Sequence, residues 1–344
     1  MSLNMRDILD TLGNGADLTP EQAAFAFGEL FEGLLSQAQA GALLMGLRAK
    51  GETALELAAA ARAGLERARL VTGLPQDRPI IDIVGTGGDL SNSFNCSTAV
   101  SLYLAALGHR VVKHGNRAVS SSSGSADALE GLGIRLDTGP DEVAAELARS
   151  NFVFLFAPGY HPSFAHIAPV RRELGIRTLF NLMGPLLNPA RPSHQLLGVG
   201  SPRALRLMAD TLALTAPTVR ALVVHGTITG AKGGFDELTP FGPADCCLVE
   251  NGRAVPMPID PREYGIPAHD PDQVRVADKP AALAAIRAVL SGRANQAMQD
   301  MTALNLGAAL HLVTGKPLAD CLREAKQAVA DGAARQFAGG NGGE

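Results

Sequence analysis

The run DIVGTGGDLSNSFNCSTAV, Asp82 to Val100, passes from an apolar stretch into Gly85, Gly87, Gly88 and Asp89, then into short hydroxyl and amide side chains. Glycines at the end of a strand let backbone amides approach a ligand closely. A helix starting near Ser97 or Thr98 would aim its positive dipole at an anion. The chemistry is phosphate binding. It is not dinucleotide binding of the GxGxxG kind, because Leu90 stands where the last glycine belongs, and no GK[ST] follows to make a nucleotide P-loop. A second cluster, KHGNRAVSSSSGSADALE (113–130), also follows an apolar run. Lys113 and Arg117 bring positive charge, Asn116 brings both donor and acceptor, and Ser120, Ser121, Ser122, Ser123 and Ser125 bring hydroxyls. The plainer alternative is a serine-rich surface loop with a helix cap at Ser123 or Ser125. Two such loops on adjacent strands suit a ligand with more than one phosphate group.

Carboxylates supply the next chemistry. Asp236 and Glu237 in GGFDELTP are adjacent, and Asp89 closes the glycine loop. Adjacent carboxylates usually face water, but beside a diphosphate they can share magnesium with the phosphate oxygens. Asp89 has the alternative task of ordering the glycine turn. In APVRRELGIRTLFNLMGPLLNPA (168–190), Arg171, Arg172 and Arg177 crowd together. An arginine on a helix usually snorkels to solvent; one facing a cleft can form a two-pronged pair with a substrate carboxylate.

These groups need a scaffold at strand ends. The first seventy residues read as helices: Thr19 with Gln22, Ser36 with Gln39 and Thr53 with Glu56 are capping boxes, Pro20 sits at a first helical position, and Gly51 is a left-handed stop. TGLPQDRP (72–79) reads as a linker. From Ile80 short β-branched runs alternate with helical stretches: IIDIV then STAVSLYLAALG, RVVKH then SADALEGLG, FVFLF then a long helical region, HQLLGVG then PRALRLMADTLALT, and RALVVHG. That alternation predicts a parallel sheet covered by helices. Asn251-Gly252 predicts a hairpin, and Ala-rich helices return from about Pro280. The expected fold class is therefore α/β, a small all-helical N-terminal domain (1–72, joined by part of 162–190) beside a larger α/β domain (80–344) with a mostly parallel central sheet flanked by helices.

Composition excludes other classes. Of 344 residues, 46% are hydrophobic and 19% charged, as in a soluble globular protein, and no run approaches the roughly 20 apolar residues of a membrane span. A net charge of −4, no Trp and three Tyr argue against a nucleic-acid binder, which needs basic stripes and stacking platforms. Cys96, Cys246, Cys247 and Cys321 have no metal-ligand spacing and read as buried thiols; with no secretory signal visible, a cytoplasmic location is expected.

GTGGDLSNSFNCST, KHGNRAVSSSSGSAD, VRRELGIRTLFNLMGPLLNPA and the late Asp-Glu pair, in this order over most of the chain, resemble the bacterial anthranilate phosphoribosyltransferases. The resemblance implies transfer of a 5-phosphoribosyl group from phosphoribosyl pyrophosphate to the amine of anthranilate, releasing pyrophosphate, in tryptophan biosynthesis. It implies magnesium, two ions per subunit, and a homodimer joined through the helical domains. It places phosphoribosyl pyrophosphate on Gly85, Thr86, Gly87, Gly88, Asp89, Ser93, Asn95, Cys96, Ser97, Thr98, Lys113, His114, Gly115, Asn116, Arg117, Ala118, Val119, Ser120, Ser121 and Ser125. It places anthranilate on Gly85, Asn116 and Arg171, with Arg171 as carboxylate partner, and metal on Ser97, Asp236 and Glu237. No acid or base is implied. The chain departs from the family at Leu90 (often glycine), at Ser122 (often lysine) and in the longer stretch VVHGTITGAKGGFDE. Two other readings compete: a pyrimidine nucleoside phosphorylase of the same architecture, and a non-catalytic phosphosugar-binding module.

Overall fold

The computed structural model describes residues 3–89, 91–117, 124–230 and 233–339. Four helices open the chain: α1 (Met5–Gly13), α2 (Pro20–Glu32), α3 (Gln37–Lys50) and α4 (Ala54–Glu66). The three capping boxes form as the sequence predicts, each cap contributing about 1 kcal/mol. Asn4 caps α1 with a single side-chain-to-backbone bond, its side chain accepting from the Asp7 N–H, a cap not singled out from sequence. Gly51 ends α3 with φ 92° and ψ 124°, a positive φ but not the left-handed helical well expected of it.

The remainder runs β1 (Ile80–Gly85), α5 (Cys96–Ala106), β2 (Arg110–Gly115), α6 (Ser125–Gly131), α7 (Val143–Ser150), β3 (Phe152–Phe156), α8 (Ala157–Tyr160), α9 (Ala168–Leu174) and α10 (Phe180–Met183). Then come β4 (His194–Gly198), α11 (Pro202–Thr215), β5 (Arg220–Thr227), β6 (Gly234–Phe235), β7 (Ala244–Glu250), β8 (Arg253–Pro256), α12 (Lys279–Leu290), α13 (Gln296–Thr314) and α14 (Leu318–Ala330). The sheet has the order β3-β2-β1-β4-β5-β7-β8, with β6 also on β5. The first five strands in that order are parallel; β7 and β8 add an antiparallel edge through the Asn251-Gly252 hairpin.

Strand order reverses between β1 and β4, whose register pairs Gly85 with Gly198. In an open α/β sheet that crevice, at the carboxyl ends of the strands, is where ligands bind. One face of the sheet packs on α5, α6, α12, α13 and α14. On the other face, apolar residues of β4 and β5 share one core with α1–α4, α11 and the 167–187 segment. The stretch after β3 is not one long helix. It breaks into short pieces at Pro162, at Gly175 (φ 60°) and at Gly184-Pro185. Its Phe164 and Phe180 insert beside Phe31 of α2, with ring centroids 4.9 and 5.9 Å away, so tertiary aromatic packing outweighs local helix preference. All four cysteines are buried. Among the described residues no helix is long and apolar enough to cross a membrane.

Candidate active site

Two adjoining cavities open at the switch point. The polar one, about 390 Å³, is lined by the glycine loop, Ser93, Asn95, Ser97, Thr98, Lys113, Arg117, Ser125, Arg177, Asp236 and Glu237. The second, about 520 Å³, is lined largely by His161, Phe164, Phe180, Leu187 and Arg171. Val84, Gly85, His114, Gly115, Asn116, Arg171, Phe180 and Gly184 border both.

The glycine loop is built on backbone that other residues resist. Gly87 has φ 66°, and a Cβ there would meet nothing within 4 Å, so glycine serves conformation here and not clearance. Its N–H donates to Asp236 Oδ2 at 2.8 Å, across 149 residues of sequence. Asp89 performs the turn-ordering role: Oδ1 accepts from the Ser91 N–H at 3.2 Å, and Oδ2 from the Asp236 N–H at 3.5 Å. At the start of α5 the Ser97 N–H donates to Glu237 Oε1 at 3.1 Å. Two outward backbone donors, at Gly87 and Ser97, thus face the Asp-Glu pair.

Asp236 and Glu237 reach this place because two strand tips carry no side chain. A Cβ on Gly198 would lie 1.5 Å from the Asp236 carbonyl oxygen, and one on Gly226 would lie 2.3 Å from that of Glu237. Neither glycine was singled out from sequence, although both end apolar runs, in HQLLG and VVHG. Burial and the neighbouring Asp89 push the Asp236 carboxyl up to about 7; burial, Asp236 and Asp89 push Glu237 well above its ordinary value. Glu237 Oε2 is buried and has no hydrogen-bond partner among the described residues. Crowded carboxylate oxygens with an unsatisfied acceptor fit a hard divalent cation. Among the described residues no three His, Cys, Asp or Glu side chains converge as a ready-made metal site.

Lys113 is buried; its Nζ donates to the Ile83 carbonyl and, at 3.3 Å, to Ser97 Oγ. Arg117 borders the polar cavity, but its guanidinium is paired with Glu130 at 2.7 Å and Asp127 at 3.3 Å on α6. Ser125 begins α6 beside the cavity, and Gly124, not Ser123 or Ser125, is its cap. Cys96 is the one described residue of the expected set that does not line either cavity: its thiol turns inward to the Met301 carbonyl and Asn305. The cause is helical phase, because Cys96 opens α5 on the face packed against α13. Ala118, Val119, Ser120 and Ser121 lie outside the described residues, as do Leu90 and Ser122.

In the apolar cavity Arg171 lies over the Phe180 ring, 5.1 Å from its centroid, and among the described residues no carboxylate pairs with it. His114 and His161 stack edge to face at 5.1 Å. Burial lowers His114 to about 3, with His161 adding to the effect, and burial lowers His161 to about 4, so both rings are neutral near pH 7. Arg177, noted in the sequence without a role, crosses from the 167–187 segment to donate to the Gly87 carbonyl at 3.1 Å. Beneath the site Asn188 Nδ2 donates to Asp82 Oδ2 and to the Val112 carbonyl, both at 2.8 Å.

Comparison with known proteins gives this geometry its relatives. Residues 6–68 match the helical bundle domain, and residues 77–335 the a/b domain, of a glycosyl transferase family. The chain is 54% identical over 332 residues to the anthranilate phosphoribosyltransferase of Nitratidesulfovibrio vulgaris (strain DSM 19637 / Miyazaki F), covering 95% of this chain and 96% of that one. It is similar to the crystal structure of the anthranilate phosphoribosyltransferase from Thermus thermophilus (TM-score 0.85, 38% identity, 96% and 97% of the two chains). It is also similar to the Saccharomyces cerevisiae enzyme in complex with PRPP and Mg (TM-score 0.86, 26% identity, 97% and 95%). With relatives this similar along nearly its whole length, the chain belongs to the anthranilate phosphoribosyltransferases.

Proposed function

We propose that the chain transfers the 5-phosphoribosyl group of phosphoribosyl pyrophosphate to the amine of anthranilate, giving N-(5-phosphoribosyl)anthranilate and pyrophosphate. The observation that carries this reading is the pair of cavities sharing Gly85 and His114–Asn116. One is polar, with amide donors and carboxylates; the other is apolar and aromatic, with an arginine that lies over the Phe180 ring and pairs with no described carboxylate. A sugar diphosphate and an aromatic carboxylate seated there would meet at the shared border.

In the donor cavity the loop Gly85–Asp89, with Ser93, Asn95, Ser97 and Thr98, holds the pyrophosphate, while Lys113–Arg117 and Ser125 hold the phosphoribosyl part. Ser97, Asp236 and Glu237 would hold magnesium, two ions per subunit, which when bound supplies positive charge to the departing pyrophosphate. Displacement at the anomeric carbon passes through an oxocarbenium-like state. The residues' work is alignment and charge stabilisation: Lys113 and the start of α5 offset the leaving group's charge, while the Gly87 and Ser97 amides hold Asp236 and Glu237 in place. An aromatic amine is already a neutral nucleophile at pH 7, and the two histidines bordering the acceptor cavity hold protons too weakly to serve as acids. No general base is assigned.

Three further inferences accompany this reading. The chain divides into helical residues 1–72, joined by part of 162–190, and an α/β part from 80 to 344. It pairs as a homodimer through the helical layer, where Leu3 and Met45 are exposed. It works in the cytoplasm. The test of activity is loss of anthranilate fluorescence on adding phosphoribosyl pyrophosphate and MgCl2, run beside phosphorolysis of thymidine and uridine; activity in the second assay alone would overturn the proposal.

Arg171→Ala is expected to raise KM for anthranilate by about 10- to 100-fold, the worth of a charge-assisted hydrogen bond. KM for phosphoribosyl pyrophosphate should move less than about threefold. Equal rises in both constants would remove Arg171 from the acceptor site.

A further inference from the structure

Asn305 lies in the middle of α13, buried, and the family's motifs quoted above do not include it. Its carboxamide grips the main chain of Leu238 from both sides: Oδ1 accepts the Leu238 N–H at 3.0 Å, and Nδ2 donates to the Leu238 carbonyl at 2.8 Å. The same Nδ2 donates to the Met301 carbonyl at 2.8 Å and lies 3.7 Å from Cys96 Sγ. Leu238 follows the Asp236-Glu237 pair directly, and Cys96 precedes Ser97, whose amide meets Glu237. A buried side chain on a third element thus fastens the carboxylate-bearing segment and contacts the start of the helix that faces it.

The opposite side of the segment rests on Gly198 and Gly226, close enough that a Cβ on either would strike its backbone. The segment between Phe235 and Leu238 is therefore held between two glycine strand tips and one carboxamide. Within it the Glu237 carboxylate keeps one buried oxygen that has no partner among the described residues. A free loop would turn such a group toward water. We infer that Asn305 is a positioning residue for the donor site: by clamping Leu238 it holds Asp236 and Glu237 in the polar cavity, where they would take part in cation-assisted binding of the diphosphate. The inference rests on the reading of that cavity as a magnesium diphosphate site.

The clamp acts on the two carboxylates expected to hold the cation, so its loss should weaken diphosphate binding chiefly when magnesium is present. The test is calorimetric titration of the full chain with inorganic pyrophosphate, in MgCl2 and in EDTA, at a temperature where circular dichroism shows every variant folded. Leu310→Ala serves as the control, because Leu310 lies on the same helix, is fully buried in the apolar core and has no part in the site. Asn305→Ala is expected to weaken binding in MgCl2 by about 10- to 100-fold, as loss of a supporting partner behind metal ligands does. In EDTA it should match wild type within about twofold, and Leu310→Ala should match wild type in both buffers. If Asn305→Ala does not fold, Asn305→Ser takes its place; its hydroxyl can bond the Met301 carbonyl four residues back but is too short for Leu238.

If wild type binds more tightly with magnesium and the Asn305 variant keeps that gain, the positioning role is wrong and the donor site stands. Equal weakening in both buffers also overturns it, because the clamp would then order the whole loop. If wild type itself gains nothing from magnesium, the reading of the donor site fails and the inference fails with it.

Discussion

Gly87→Val is expected to lower kcat/KM for phosphoribosyl pyrophosphate by about a hundredfold, the scale of losing a supporting partner behind a carboxylate expected to hold the metal, because the Gly87 N–H bonds Asp236. Gly87 occupies φ 66°, where a β-branched residue is strained by about 1–2 kcal/mol. Because a Cβ there touches nothing within 4 Å, the valine would not unpack the core. The loop would relax to a negative φ and turn its N–H away from the position now facing Asp236. Function and fold therefore separate: turnover falls steeply while the melting midpoint moves only a few degrees. Near-normal turnover would show that the glycine amide is not part of the donor site. A collapse of the melting midpoint would show that strain, not function, explains the loss.

The second large effect is expected from Asp236→Asn combined with Glu237→Gln. Both substitutions keep a carbonyl oxygen that can accept from the Gly87 and Ser97 amides, and both remove the charge. Activity should lose its dependence on magnesium and fall by about 10²-fold or more, with each lost metal contact worth about 10- to 100-fold. Stability should move the other way. The two carboxyls have folded-state pKa values raised above their unfolded values, Asp236 to about 7. Between the ordinary carboxylate range near 4 and the raised values, the folded chain therefore binds more protons than the unfolded chain. Wild type loses stability as pH rises through that window. The neutral isosteres do not ionise, so the ligand-free double variant is expected to melt higher than wild type at pH 8, with the gap closing toward pH 4. Scans of melting midpoint against pH check this; a variant that melts lower at pH 8 would mean that the charges stabilise the fold, against the burial argument.

Much of this arrangement was legible in the residues. Capping boxes at Thr19, Ser36 and Thr53 work through hydrogen bonds spanning three residues, so sequence spacing alone specifies them. The strand runs from Ile80, Arg110, Phe152, His194 and Arg220 declare themselves by apolar, β-branched composition between turn signals. That glycine-rich and serine-rich loops follow two neighbouring strands was legible from composition, and the structure brings their described residues to one cavity. The expected long helix after β3 failed, because Phe164 and Phe180 gain more by packing beside Phe31 than by continuing a helical phase. Cys96 belonged to the expected binding motif, yet its side chain faces α13, a direction that depends on which face of α5 is buried.

The sequence by itself determined the alternation of strands and helices, the three capping boxes and the hairpin, since each depends on neighbours a few positions apart. Only the tertiary structure decided which of those groups meet. Gly87 and Asp236 are 149 residues apart and touch because β1 lies beside β4, against whose end at Gly198 the Asp236 backbone rests. The bare tips at Gly198 and Gly226, the Leu238 clamp by Asn305 and the reach of Arg177 are likewise consequences of chain packing. Their physical basis is steric exclusion and the satisfaction of buried polar groups, which act through space and leave little trace in local sequence.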